Sequence, residues 1–301
     1  MVKFKNELSW SASRAKEFDR CRREYFYSRY GSWGWWEERP RGEKYQTMIL
    51  KNLVSLPAFT GTCMHEAIER WYQLKRDGVT QSFKELYESA VEIFRAGWRE
   101  SMTNAWKEAP NKKVHFEDHH YQIDILKEQT EKLRKNLEKS AQFFLESKDC
   151  QPAREAHPDS WRSLESMSTY QFLGIKVYAV PDFAYIDKDG VLHIWDWKTG
   201  KEREDDIFQL HSYALYACEK WQSDPEQIML HAGYLNEEKV LSMPADFNVL
   251  SGVQDKMSAS IKEMMEVHFD PDEDPVLMEN WPRTPDEKKC RRCQFREICK
   301  I

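Results

Sequence analysis

The chain has 301 residues, 41% of them hydrophobic and 32% charged, with a formal net charge of −6. That length carries one large α/β domain or two modest ones, each with a real core. No apolar run approaches the roughly 18 residues of a membrane span, and the opening MVKFKNELSW lacks the apolar stretch of a signal peptide, so a cytoplasmic location without membrane contact is expected.

In chain order, Ser9 to Tyr30 reads as a helix, with Ser9, Ser11 or Ser13 available as its N-cap. The aromatic segment YFYSRYGSWGWW follows, then a polar loop through Arg41. A second helix is expected from Thr62 to Lys75, with Gly61 at its start and His65 one turn in. A third spans Gln81 to Trp106, and a polar, solvated loop holding His115, His119 and His120 separates it from a long helix at Tyr121 to Ser147. In that helix Leu126, Leu133, Leu137 and Phe144 form one apolar stripe.

The pattern then turns to short β-branched and aromatic runs. Tyr170–Tyr178, Pro181–Ile186 and Val191–Lys198 read as strands, and DKDG at Asp187 to Gly190 is a hairpin turn. A helix at Asp205 to Trp221, strands at Ile228 to Leu235 and Lys239 to Met243, and a helix at Phe247 to His268 complete the core. An acidic, proline-containing linker leads into a cysteine-rich tail at 286–301. The whole reads as one domain, with a helical arm inside or beside an α/β core.

The chemistry gathers at the hairpin. Asp182 stands just before it and Asp196 just after, so an antiparallel pairing sets the two carboxylates side by side. Strand side chains alternate faces, which puts Lys198 on the face of Asp196 and sends Trp195 and Trp197 to the other. Two carboxylates suit a hard divalent cation such as Mg2+, which polarises a phosphate and acidifies a bound water. A lysine beside them orients that water or stabilises developing charge. An Asp-x-Lys by itself is more often a surface ion pair. The Pro-Asp step, the apolar neighbours and the following helix favour a site here. Gln209 and Tyr213 lie four apart on one face of that helix, as positioning groups or as plain surface and core residues. His65 is a further candidate ligand, suited to Mn2+, although a lone helical histidine is more often structural. Glu165 is a weaker candidate for the acidic cluster, and Glu66 and Glu69 are solvated or support His65.

Seven cysteines in a reducing compartment do not make a disulfide framework. Cys290-x2-Cys293-x5-Cys299 offers three thiolates at a spacing that binds a soft or borderline metal. A tetrahedral site needs a fourth ligand, and spacing leaves zinc and iron–sulfur both open. Cys63, Cys150 and Cys218 read as ordinary thiols.

Pro181-Asp182, Asp196-Trp197-Lys198, Gln209-x3-Tyr213 and Gly61-x3-His65 together resemble the PD-(D/E)xK nucleases of the RecB type. The opening LSWSASRAKEFDRCRREYFY is similar to the N-terminal box of AddB nuclease domains and CRISPR adaptation nucleases. The resemblance covers the ends and centre of the chain and leaves about 76–160 as a helical insertion. It implies a restriction-endonuclease-like core, a central mixed sheet flanked by helices. It implies His65, Asp182, Asp196 and the Trp197 carbonyl as metal ligands and Lys198 as the catalytic lysine. It also implies Cys21 as the fourth ligand, with Cys290, Cys293 and Cys299, of a 4Fe-4S cluster stapling the N- and C-terminal segments; structural Zn2+ is the competing reading. The expected activity is a Mg2+- or Mn2+-dependent deoxyribonuclease, an exonuclease on single strands or DNA ends in repair, recombination or CRISPR adaptation. The alternative is a non-catalytic nucleic-acid-binding protein that keeps the fold and its iron–sulfur or zinc site.

Two basic sets, Arg14, Lys16, Arg20, Arg22 and Arg23 near the start and Lys288, Lys289, Arg291, Arg292, Arg296 and Lys300 near the end, would converge on DNA phosphates if the cluster joins the termini. Tyr25, Tyr27, Tyr30, Trp33, Trp35 and Trp36 would either stack on bases or bury the cluster. Ser13-x-x-Lys16 and Lys198-Thr199-Gly200 are two pieces of the penicillin-recognising serine hydrolase set, but its Ser-Asp-Asn piece is missing. No phosphate-binding P-loop is present, so a helicase motor, like a CRISPR integrase, would be a separate partner.

Overall fold

Two apolar strands, Leu192–Lys198 and Ile228–Tyr234, run parallel through the centre of the molecule, Lys198 opposite Tyr234. Parallel neighbours need a crossover, and helix Glu204–Trp221 supplies it. Strand Lys239–Pro244 adds antiparallel to one side, and Phe183–Ile186 and then Trp161–Leu164 to the other, giving a mixed five-stranded sheet. The computed structural model describes residues 5–299; Met1 to Phe4, and Lys300 of the basic tail, lie outside them. Among the described residues no helix is long and apolar enough to cross a membrane.

Both faces of this sheet are covered, as its apolar strands require. Ala184, Ile194, Leu230 and Ala232 pack with the crossover helix, with helix Phe247–Val267 and with the N-terminal helix Ala12–Arg20. Phe183, Tyr185, Trp195 and Trp197 pack on the other side against helices Leu56–Arg76, Phe83–Met102 and Lys127–Glu146. Much of segment 76–160 therefore shares the core of the sheet itself.

A second, three-stranded sheet pairs Ser9–Trp10 parallel to Ile175–Ala179, which pairs antiparallel with Ser168–Phe172. Here the expected single strand Tyr170–Tyr178 is a hairpin. Leu173 and Gly174 turn it with φ of 52° and 75°, a left-handed pair whose leucine gives no turn signal in sequence. The expected helix from Ser9 to Tyr30 is likewise divided. Ser9–Trp10 is a strand, Ser11 caps Ala12–Arg20, and Cys21 is extended at φ −165° before a short helix Arg22–Phe26 and a wide turn at Tyr27–Gly31.

Gly61 lies well inside its helix, which starts at Leu56 under a Ser55 cap. The long helix begins at Lys127 rather than Tyr121; Leu126 precedes it and is 59% exposed, while Leu133, Leu137 and Phe144 are buried. The histidine segment is not a solvated loop: His115–Phe116 pairs with Leu53–Val54, and His115 is buried flat against Trp106 at 3.7 Å. His119 bonds Ser101 and His120 bonds Glu297. Helix Glu43–Lys51 occupies residues just past the expected polar loop. Of the aromatics considered for base stacking, Tyr25 and Tyr30 are core residues packed on Trp281, whereas Trp36 stays 47% exposed.

Candidate active site

The site grows from the register of the hairpin. Phe183 stands opposite Trp195, and continuing the pairing by one residue sets Asp182 opposite Asp196. Asp182 is fixed there by the Trp197 backbone N–H, which donates to its Oδ2 at 2.5 Å. The Asp182 carbonyl accepts from the Glu165 N–H at 3.0 Å, joining the end of the edge strand to the same point. Glu165 takes a left-handed φ of 44°, a conformation that costs a non-glycine residue free energy and clusters at functional positions.

Helix Leu56–Arg76 brings the third wall. Its Gly61 lies so close to Thr199 that an added Cβ would sit 2.8 Å from the threonine Oγ1, and this approach carries His65, one turn later, over the sheet edge. His65 Nδ1 lies 3.4 Å from Asp182 Oδ1 and 3.5 Å from Glu165 Oε1. One ligand atom from each of His65, Glu165 and Asp182 falls within 4.8 Å of the others, the tight donor cluster among the described residues. Glu165, the weaker candidate in sequence, thus stands in the centre of the group.

Asp196 lines the same pocket, 3% exposed, with its carboxylate drawn to Lys198 Nζ at 2.5 Å. Lys198 Nζ also donates to Gln209 Oε1 at 2.8 Å, and Gln209 Nε2 donates to the Tyr213 hydroxyl at 2.6 Å. Because Gln209 uses its oxygen on one side and its amide N–H on the other, the chain of bonds fixes its orientation. The Trp197 indole points to the opposite face, stacked on Trp195 at 4.9 Å, so only its backbone faces the pocket. Lys201, Arg203, Asp206, Glu66 and Glu69 form the rim of this cavity of about 650 Å³; none of the first three was singled out in sequence, since charged residues near a helix start usually serve only the helix. Lys16, from the serine hydrolase pattern, pairs with Asp205 at 2.6 Å.

The electrostatics follow from burial and crowding. Burial disfavours a charged His65, but Asp182 and Glu165 outweigh it and hold the imidazole pKa well above its ordinary value. Burial raises the Glu165 carboxyl, with His65 pulling against it and Asp182 adding to it. Asp196 is raised by burial and by Asp182, against the counter-pull of Lys198. Burial works against the Lys198 ammonium, yet Asp196 and then Asp182 raise it. One imidazole nitrogen and carboxylate oxygens at this spacing, electron-rich and crowded, suit a hard or borderline divalent cation.

At the termini Cys21, Cys290, Cys293 and Cys299 all line one cavity of about 320 Å³ with Arg20, Tyr27 and Phe295. All four are free thiols. Burial pushes Cys293 up to about 12 and raises Cys299. The tail is seated by Phe295, buried with Leu50 and Leu53, and by Arg296 over the Tyr121 ring at 3.5 Å.

The family model described as "PD-(D/E)XK nuclease superfamily" matches residues 9–300. No curated protein is matched. The solved structure described as "Crystal structure of SSO0001" is similar over 57% of this chain and 77% of that chain, at 12% identity and a TM-score of 0.28.

Proposed function

The chain belongs to the PD-(D/E)XK nuclease superfamily, and from that premise we propose that it is a DNA nuclease whose reacting centre is the His65–Asp182–Lys198 pocket, with Mg2+ or Mn2+ as its cation. The observation that carries the reading is the convergence, in one cleft, of three metal-donor atoms within 4.8 Å and a half-buried ammonium on the neighbouring strand. A divalent cation supplies there a polarised phosphate and an acidified water. His65, Glu165 and Asp182 would hold it, and Asp196 and the Trp197 carbonyl, in the same pocket, would be its further ligands. Asp196 and Gln209 hold the Lys198 ammonium where it would stabilise the developing phosphate charge. Tyr213 locks Gln209 in the amide orientation that accepts from the lysine.

The finer reading follows the RecB-type resemblance: an exonuclease on single-stranded DNA or DNA ends, in repair, recombination or CRISPR adaptation, with a separate helicase or integrase as partner and residues 76–160 as a helical insertion. The four thiols around the terminal cavity are read as the ligands of a 4Fe-4S cluster. Four thiolate ligands suit such a cluster, and structural Zn2+ is the competing reading.

Cleavage of end-labelled single-stranded and duplex DNA with Mg2+ or Mn2+ tests the nuclease reading. Lys198→Ala and Asp182→Asn are each expected to lower the rate at least 100-fold. Wild-type rates in both variants would overturn it.

A further inference from the structure

A third cavity, of about 340 Å³, opens beside the small sheet and collects five cations, Lys5, Arg14, Arg29, Lys51 and Lys176, against one carboxylate, Glu7. In a chain of net charge −6 this concentration is unusual; Glu7 pairs with Lys176 at 3.2 Å, which leaves Arg14, Arg29 and Lys51 as the cations the cavity carboxylate does not serve. Arg29 has one ion pair, to Glu17 at 3.0 Å, and its buried Nε has no hydrogen-bond partner. Arg14 donates to the Ser9 hydroxyl and lies over the Tyr178 ring at 4.9 Å. Lys51 ends helix Glu43–Lys51, and its side chain makes no ion pair or hydrogen bond among the described residues. Burial, then Arg29 and Arg14, lower Lys51 to about 8, as for a cation held among others without its counter-ion.

Two guanidinium groups and an ammonium around one partly enclosed space match a phosphate, through paired N–H bonds and a point charge. Trp33, partly exposed in the cavity wall, offers an aromatic edge beside the bound phosphate. The cavity also stands near the reacting centre. Tyr178, in its wall, precedes Asp182 by four residues, and an extended chain rises about 3.3 Å per residue, so their Cα atoms are at most about 14 Å apart. That bound corresponds to at most about four nucleotides at the 3.4 Å rise of one DNA strand.

We propose that this cavity binds a backbone phosphate of the strand being cut, a few nucleotides from the scissile bond, through Arg14, Arg29 and Lys51. The proposal rests on the nuclease reading for its ligand, not for its geometry. It makes the small sheet and helix Glu43–Lys51 a register device: the phosphate seated here fixes which bond lies over Asp182.

The test is binding of a fluorescein-labelled single-stranded oligonucleotide without divalent metal, and cleavage of the same strand with Mn2+. Lys51→Gln and Arg29→Gln are each expected to weaken binding about tenfold, reduce the salt slope by about one contact and raise KM. Lys188→Gln, which removes a charge from the remote hairpin turn, should change none of these. Lys198→Ala should abolish cleavage while keeping binding. Unchanged affinity and KM in both cavity variants, with cleavage by the wild type intact, overturn the phosphate site and leave the nuclease reading standing. Loss of binding in these variants, with no cleavage by the wild type, overturns the nuclease reading and leaves the site. Inorganic phosphate or a mononucleotide that binds as tightly as the oligonucleotide, losing that affinity in Lys51→Gln, would also overturn the strand contact.

Discussion

At the scale of single residues, the site depends on positions where a side chain has been left out. Gly233 faces Trp197 across the parallel ladder, and a Cβ there would stand 2.5 Å and 2.7 Å from the indole ring carbons Cε3 and Cζ3. That ring is 1% exposed and pinned edge-on by Phe144 at 5.2 Å, so it has nowhere to retreat. Gly233→Ala is expected to destabilise the fold by about 1–3 kcal/mol through overpacking. It should also lower cleavage, because the Trp197 N–H holds Asp182 and the next residue is Lys198. Gly252, in helix Phe247–Val267 with nothing within 4 Å of its Cβ position, gives the contrast: Gly252→Ala should raise stability by about 0.5–1 kcal/mol. Thermal unfolding of the two variants separates the cases, and a Gly233→Ala protein as stable as wild type would refute the packing argument. That Asp182, Asp196 and Lys198 share one pocket was legible, because strand alternation and a strong turn determine their faces. Glu165 was nearly lost, because its place depends on a left-handed backbone at the end of an irregular edge strand, which no periodicity announces.

Among elements, the sheet carries a polar ladder that makes stability depend on pH. Asp187 Oδ2 meets His193 Nε2 at 3.2 Å, His193 Nδ1 meets His231 Nε2 at 2.9 Å, and His231 Nδ1 meets the Ser242 hydroxyl at 2.8 Å. Burial, with His193 adding to it, lowers His231 to about 3. The folded chain thus keeps this ring neutral where the unfolded chain, with an ordinary value near 6.5, binds a proton. The stabilisation is complete above about pH 6.5 and is lost as pH falls toward 3, at about 1.4 kcal/mol per pH unit for one proton. His115, lowered to about 3 by burial and then by His120 and His119, acts in the same direction. Urea unfolding between pH 4 and pH 7 should show a midpoint that rises with pH, and His231→Gln should flatten the slope. An equal slope in the variant would exclude His231 as the source. The elements that sequence misjudged share a cause. At the His115–Phe116 bridge pairing with distant Leu53–Val54 overrode local propensity, and at Leu173–Gly174 and the extended Cys21 the backbone turns without the residues that signal a turn, whereas the DKDG turn carried its own local chemistry.

For the whole molecule, the decisive feature is how the ends meet. Arg23 donates to the Trp281 carbonyl at 2.6 Å, Tyr25 stacks on Trp281 at 6.2 Å, and Tyr27 packs on Phe295 at 5.4 Å, so the first helices form the seat of the last segment. The four cysteines lie at that seam. A group bound to all four would close a loop of nearly the entire chain, and loop-closure entropy puts the resulting stabilisation at up to about 5 kcal/mol. Cys21 belongs to the N-terminal side of the seam and Cys293 to the tail, so removing either should release the same tie. Cys21→Ser and Cys293→Ser are therefore expected to lose bound iron and sulfide together, with a similar fall in Tm of several degrees. The N-terminal helices also carry Arg14 and Arg29, so the tail becomes an indirect support of the phosphate cavity, and both variants should bind the labelled oligonucleotide more weakly. Anaerobic iron and sulfide analysis beside thermal unfolding decides the matter. Variants that keep wild-type iron, or a wild-type protein that carries zinc instead, would refute the cluster and leave the reading of the Asp182–Lys198 pocket standing, since none of the four cysteines lines it.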